Sequence, residues 1–471
     1  MGNLFSALGS AGDALKAFQT ALDVTQNNVT NANTPGYAKQ VPGLDSLSFQ
    51  PENGLLGGVK ENTQDTRNEF AETAVRQQTS LLGQFQQLQT SLAPVQNVFD
   101  ISATSPIPTA LNQLFQSFSN WSANPGNASA QTAVLSAASQ VSAAFQQAAK
   151  QLDSIRTSTD NDIKSTVTQI NQDAALIQSY NATIARGSTP DAGVDAQLHN
   201  ALENLSNLAD VQVLRGNGNT VTVLLGGQTP LVIGQQVNAL QVNPENTTGA
   251  LNPNGAPNTQ ILDSSGNDVT SQITSGSLAG LLSVRNDLLP SLAGGAHQNG
   301  DLNTLAKGLA DAVNIQLAQG STTSTPPFQA GSGLFTYDAT SATTSAATLA
   351  VNPALTPNQL APVDPGPPVV SNGNALKLAA LDSTSQINGL NFTQYFGSLV
   401  SRVGNAASTA DTQATAQQSL VAQAKNLRQQ LSGVSLDEEA IRLVQLQRSY
   451  QAASRIVSVV DQLAQTLLNI Q

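Results

Sequence analysis

Both ends of this chain carry a seven-residue apolar repeat, and that repeat narrows what the ends can become. At the front, Leu4, Leu8, Ala11, Leu15, Phe18, Leu22, Thr25, Val29 and Ala32 alternate steps of four and three. This spacing lays one narrow apolar seam along a helix, as a coiled coil requires. Asn33-Thr34-Pro35-Gly36-Tyr37 then ends the helix. Pro35 drives Thr34 out of helical geometry, and Pro35-Gly36 suits the centre of a type II turn. Extended chain is expected from there to Pro51. At the back, Leu436, Leu443, Leu446, Tyr450, Ala453, Val457, Val460, Ala464 and Leu467 follow the same period, with Glu439 as the one charge in the register. Ser435, with Glu438 three residues on, has the pattern of a capping box, and Asp437 to Glu439 sit where the helix dipole favours negative charge.

More helix is expected between the ends. No Gly or Pro interrupts Asn127 to Arg186, and Ile163, Ile170, Ile177 and Ile184 recur every seventh residue. One helix here would span ~90 Å, unless the polar stretch Thr157 to Asp162 folds it into a hairpin. A second long seam runs Phe396, Leu399, Val403, Ala406, Ala410, then Leu420, Ala424, Leu427 and Leu431. Alternation such as Thr220-Val221-Thr222-Val223 predicts three or four short strands within Val211 to Val242. Asn243 to Gly276 reads as loop with one further hairpin, and Ser277 to Leu292 and Asp301 to Gln319 as helices. Thr322 to Asn374 is rich in Ser, Thr, Pro and Gly and reads as exposed loop.

The expected fold class is therefore mainly α with a small β portion, the N- and C-terminal helices pairing as a coiled coil around a central helical domain with short β-hairpins. The expected division is an N-terminal axial segment over 1–62, a helical domain over 63–321 and an exposed insert over 322–374. Return helices follow over 375–434, and a C-terminal axial helix over 435–471.

Composition excludes several function classes. The chain has 471 residues, 39% of them hydrophobic and only 11% charged, with a net charge of -12. Without a Lys or Arg cluster it has little to offer a phosphate backbone, so nucleic acid is not an expected partner. With no cysteine, disulfides, thiolate metal sites and thiol catalysis are absent. No segment has the roughly 20 apolar residues of a membrane span. The first 32 residues lack the basic cluster, apolar block and small-residue cleavage site of a secretory signal, so none is expected to be removed.

Chemistry is equally sparse. Asp195 and His199 are four apart on an expected helix, but no third ligand accompanies them, and a solvated helix surface is the plainer reading. No Gly-Lys of a phosphate loop and no Gly-x-Ser-x-Gly elbow occurs. Asp263 to Asp268 resembles a calcium loop only faintly, with Gly misplaced and the closing Glu missing. No catalytic, cofactor or metal residue is expected.

The two ends do resemble a known family. Asn27-Asn28-Val29 and Asn31-Ala32-Asn33-Thr34-Pro35-Gly36-Tyr37 near the start are similar to the flagellar axial proteins, as are Ser432 to Glu439 and the closing run Ala440 to Ile470. Rod, hook and hook-associated proteins share such ends. The long helical interior, and Gly276-Ser277-Leu278-Ala279-Gly280-Leu281-Leu282 with Arg285, resemble the hook-associated branch at the hook-filament junction. Ala38-Lys39-Gln40 departs from the commoner Ser-Arg-Gln, a small change at an assembly contact.

The resemblance implies a structural, non-enzymatic subunit, extracellular in the bacterial flagellum, exported unfolded through the flagellar type III apparatus without a cleaved signal. A chaperone on the C-terminal helix is also implied. The implied partners are copies of itself, hook protein and the next hook-associated junction protein. A lone terminal helix is marginal in water, so ordering waits for a partner. The residues expected to carry assembly are Leu4, Leu8, Leu15, Phe18, Leu22 and Val29 in front, and Leu443, Leu446, Tyr450, Ala453, Val457, Val460 and Leu467 behind. Asn33, Thr34, Pro35, Gly36 and Tyr37 form the turn, and Ser435 with Glu438 the cap. The bland alternative is that each seam is an ordinary core stripe. Rival functions are a hook or distal-rod protein and, more remotely, a secreted hydrolase or stalk-like adhesin.

Overall fold

The computed structural model describes residues 2–50, 55–56, 59–99, 106–187, 191–216, 219–246 and 250–468. Side chains are described at 8–48, 59–99, 106–187, 191–216, 219–244 and 250–466.

The chain opens with α1 (Gly2–Asn31), whose C-terminal part lies beside a two-stranded ribbon of β1 (Gln40–Ser46) and β4 (Val59–Asp65). The strands pair antiparallel, Gln40 opposite Asp65 and Ser46 opposite Val59. Two-residue strands β2 (Phe49–Gln50) and β3 (Leu55–Leu56) pair within the span between them. The chain then enters α2 (Glu69–Val98), capped by the Asn68 side chain on Ala71 N at 3.0 Å, followed by α3 (Pro106–Ala123) and α4 (Ala128–Ala185).

α4 is one unbroken helix, which settles the choice left by the polar stretch Thr157 to Asp162. Along its length it serves two hydrophobic cores. Val134 to Leu152 pack into the first with α3, α8 (Asp301–Gln319), α10 (Gly373–Ala380) and the start of α11 (Phe392–Ser432). Ile163 to Ile177 pack into the second with α5 (Ala192–Leu208) and the sheet that follows. The polar stretch falls between the cores. Asp160 accepts there from Arg285 Nε at 2.7 Å and from Thr259 Oγ1 at 2.8 Å, so polar residues that threatened the helix instead tie it to two other segments.

The second core is covered by a meander of β5 (Val211–Arg215), β6 (Val221–Leu225), β7 (Thr229–Ile233) and β8 (Gln236–Val237), paired in that order. Val221, Val223 and Leu225 point inward and their neighbours outward, the period-2 pattern of a half-buried strand. A hairpin of β9 (Gln241–Asn246) and β10 (Asn258–Leu262) follows. α6 (Gly276–Ser283) and α7 (Leu289–Ala293) are joined by a π-helical turn over Val284–Leu288.

Residues 322–374 correct the expectation of an exposed insert. This segment carries β11 (Phe335–Thr336), α9 (Ser345–Thr348) and β12 (Ala350–Val351). Leu334, Phe335, Leu349 and Leu360 are buried in the first core. A few apolar residues spaced among Ser, Thr and Pro were enough to fasten a loop-like sequence down.

α11 returns antiparallel along α2, and α12 (Leu436–Leu468) lies along α1. In α11 the buried register is not the expected one throughout. Phe396, Leu399, Val403 and Ala410 are buried, but beyond them the inward positions are Ala414, Gln417, Val421 and Ala424, while Leu420, Leu427 and Leu431 face solvent. Among the described residues no helix is long and apolar enough to cross a membrane, and no group of three metal-ligating side chains is assembled.

Candidate functional site

The terminal helices meet the helical domain at one polar joint, where Asn28 bonds Glu439, 411 positions away. Thr34 to Tyr37 form the turn: Tyr37 N donates to Thr34 O at 3.1 Å, and Gly36 takes φ 77°, the left-handed geometry that the third position of a type II turn requires. A Cβ at Gly36 would lie 2.3 Å from Ala196 O, because the turn presses on α5. Only glycine meets both demands.

Just before the turn, Asn28 is fully buried and uses its whole amide. Its Nδ2 donates to Gln40 O at 2.8 Å and to Glu439 Oε2 at 3.0 Å. Its Oδ1 accepts from Tyr37 Oη at 2.8 Å and Gln40 N at 3.0 Å. Glu439, also 0% exposed, lies 3.1 Å from Lys39 Nζ, which bonds Glu438 at 2.9 Å. The lone charge in the C-terminal seam is thus the partner of the turn at the other end of the chain. Burial lowers the proton affinity of Lys39, but the bonds to Glu438 and Glu439 outweigh it and its pKa is raised. Burial first, and then Glu439 and Asp65, push Tyr37 up to about 12, so its hydroxyl stays a donor across the physiological range.

Ser432, at the end of α11, ties three segments together. Its carbonyl accepts from Lys39 N at 2.9 Å, and its Oγ accepts from Asn68 N at 3.0 Å while donating to Thr66 O at 3.1 Å. Beneath it runs a chain of ion pairs. Arg67 donates to Gly36 O at 2.9 Å and pairs with Glu72 at 2.9 Å and Asp195 at 2.7 Å. Glu72 lies 3.3 Å from Arg428, which pairs with Glu203 at 2.8 Å. Removing one member would strand a charge in a site that water barely reaches, so the geometry is strongly enforced.

His199 corrects the expectation of a solvated surface residue. It is buried, with Nε2 2.7 Å from Arg215 Nη2 and Nδ1 3.9 Å from Glu72. The guanidinium can only donate, so the ring accepts and is neutral. Burial first, then Arg67, Arg215, Arg76 and Arg428, hold its pKa well below 6.5. Asp195 belongs to Arg67 instead of to His199.

The seam residues fall unevenly. On α1 the most buried positions are Ala17, Ala21, Thr25 and Asn28; Leu8, Leu15, Phe18 and Leu22 are half-buried beside them, and Val29 is 37% exposed. On α12, Leu443, Leu446, Val457 and Val460 are half-buried, Ala453 is buried and Tyr450 is 37% exposed. The side chains of Leu4 and Leu467, and all of Asn469 and Ile470, lie outside the described residues. Small residues occupy the contact line because they let two helices approach closely, which displaces the bulky ones to its flanks. Ser435 Oγ accepts from Glu438 N at 3.5 Å, while the Glu438 carboxylate turns to Lys39. Asn28, Lys39 and Ser432 lie within the motifs that carry the family resemblance, but their mutual contacts, and the Arg67 to Arg428 chain, were not expected from sequence. The available signal was Glu439, since a charge inside an apolar seam needs a buried partner.

Comparison with known proteins bears on the whole chain. Residues 92–335 match the family model described as flagellar hook-associated protein FlgK helical domain. Residues 8–37 match the flagella basal body rod protein model, and 428–470 the C-terminal model of flagellar basal body rod FlgEFG proteins. The chain is 26% identical to flagellar hook-associated protein 1 of Bacillus subtilis, covering 100% of this chain and 99% of that one. It is 24% identical to the Escherichia coli protein of the same name, covering 99% and 100%. Its fold is similar to that of the flagellar hook junction protein FlgK from Burkholderia pseudomallei, with a TM-score of 0.64 at 18% identity, over 75% of this chain and 99% of that one. With over half of its length matched by the helical-domain model and both ends by axial models, the chain belongs to the flagellar hook-associated protein FlgK family.

Proposed function

We propose that this protein is a structural subunit of the bacterial flagellum that forms the hook-filament junction by self-assembly through α1 and α12. The observation that carries the reading is the joint itself. Asn28, Lys39 and Glu439 clamp the two terminal helices together at one end, and beyond the clamp Ile441, Val444, Ile456, Val459 and Leu463 of α12 remain exposed. A helix bearing apolar residues on two sides, only one of them covered, is built to be completed by another molecule. Within this reading the seam residues, the turn and the helix cap are assembly elements, and the neighbours are hook protein and the next hook-associated junction protein. Export through the flagellar type III apparatus, without a cleaved signal and with a chaperone on the C-terminal helix, belongs to the same proposal.

A hook or distal-rod role is the second reading, favoured by the rod-protein models that match both ends. The helical interior speaks for the junction. Deleting the gene separates the two. A junction subunit leaves hooks in place while unpolymerised flagellin is shed to the medium, and electron microscopy shows bare hooks. Loss of the hooks themselves would overturn the junction reading.

A further inference from the structure

The two hydrophobic cores follow one another along α4, and the elements that run from one core to the other are weakened at the same level. α4 crosses through Asp153 to Asp162, a stretch in which only Thr159 is buried. There Ser154 Oγ, Thr157 Oγ1 and Thr159 Oγ1 donate back to the carbonyls four residues earlier, at 3.0, 3.1 and 2.8 Å. Bonds of this kind compete with the backbone ladder of a helix and favour bending. The second crossing runs from α6, whose Leu278, Leu281 and Leu282 lie in the second core, to α7, whose Leu289 and Leu292 lie in the first. Its link is the π-turn Val284–Leu288, a local widening of the helix that breaks its regular side-chain register.

Packing at this level is incomplete. Leu88 of α2, Val284, Leu288 and Ser291 around the π-turn, and Asn405 and Ala406 of α11 line a groove of about 520 Å³. On another side of the turn one pin joins the two crossings, Arg285 Nε donating to Asp160 Oδ1 at 2.7 Å. Arg285 is 2% exposed, yet its Nη1 has no acceptor among the described residues. A buried donor left unpaired gains from any movement that brings water to it. The two cores are also anchored differently. The second contains α5, whose Asp195 and Glu203 pair with Arg67 and Arg428 of the joint. The first holds the far part of the domain, including Leu334 and Phe335 of the 322–374 segment.

We propose that the helical domain flexes at this waist, the first core tilting as a body so that the groove narrows and widens, while the second core stays fixed to the terminal pair. α4 runs unbroken through the waist, so the motion is a bend of one helix and not a dislocation. One subunit can then hold its axial joint rigid while its far part adjusts to the surface it meets. From Asp160 to Val141 α4 extends ~28 Å, so a tilt of ~10° shifts the far part of the first core by ~5 Å.

The chain contains no cysteine, so spin labels attach only where cysteines are introduced. Gln113→Cys on α3 and Asn204→Cys on α5 place one label beside each core, at exposed positions. Gln113→Cys with Ile315→Cys on α8 places both on the first core, Ile315 being exposed as well. Pulsed electron double resonance on the full chain in solution should give the first pair a distance distribution broader than that of the second by ~5 Å. Ala406→Trp, which fills the groove, should narrow the first distribution to the width of the second. Asp160→Ala, which removes the pin, should widen it further, and neither variant should alter the second pair. Equal widths for the two pairs overturn the inference, and so does a first-pair width that Ala406→Trp leaves unchanged. Should Asp160→Ala fail to fold, the unaltered waist and Ala406→Trp decide alone. The measurement is made on single chains, so its outcome is separate from whether copies assemble.

Discussion

At the scale of single residues, the joint is held by closely matched charges and amides. Asn28 satisfies four hydrogen bonds at once. Asn28→Ala should therefore cost about 3 kcal/mol, because it strands the Gln40 amide and deprives a buried carboxylate of a donor. Urea denaturation measures the loss, and hydrogen exchange at Gln40 locates it. Lys39→Ala should cost about 3 to 5 kcal/mol by leaving Glu439 buried and unpaired, whereas Lys39→Ala with Glu439→Leu should recover most of it. His199 gives a pH signature. Its folded pKa lies well below 6.5, so the unfolded chain takes up a proton that the folded one refuses. The neutral ring's contribution is complete above pH 6.5 and lost as pH falls below it, at up to about 1.4 kcal/mol per unit. Asp173, pushed up to about 6 by burial, works in the opposite direction below that pH. The histidine effect is therefore read as the difference between the native protein and His199→Gln, whose denaturation midpoints should converge between pH 7.5 and 5.

At the scale of elements, α1 shows how a coiled-coil pattern and a contact line can differ by one step, while α12 keeps the expected register. The heptad places Leu15, Phe18, Leu22 and Thr25 in a seam, but the buried line of α1 runs through Ala17, Ala21 and Thr25, so only Thr25 belongs to both. Ala21→Leu should wedge the two terminal helices apart at a cost of about 1 to 3 kcal/mol, seen as a fall in Tm. Ile456→Ser and Val459→Ser should leave the monomer within about 0.5 kcal/mol of native stability, since both side chains are already exposed. The same variants should impair assembly on hooks, counted by electron microscopy. Equal effects on Tm and on assembly would place these residues in the monomer core instead. The same one-step difference separates Leu420, Leu427 and Leu431 from the buried face of α11.

At the scale of the whole molecule, few surface charges and exposed apolar rows make association a matter of burying surface. Added sulfate should promote polymerisation and cooling should weaken it, by light scattering. An assembly held by surface ion pairs would dissolve as salt rises. The net charge of -12 on each copy points the same way, because screening removes repulsion between copies.

Much of this is legible in the sequence. A repeat of seven, a proline-glycine stop and a Ser435 to Glu439 start are local patterns, and local patterns dictate helices and turns because the forces behind them act over a few residues. The family resemblance rests on the same short motifs. What the sequence could not decide was which side of each helix meets which neighbour. Leucines at 420, 427 and 431 satisfy a heptad whether they face a core or solvent, and His199 reads as a surface residue until Arg215 and Glu72 are brought around it. Asn28, Lys39 and Glu439 become one site only when folding joins positions some 400 residues apart, and no local interaction spans that distance along the chain.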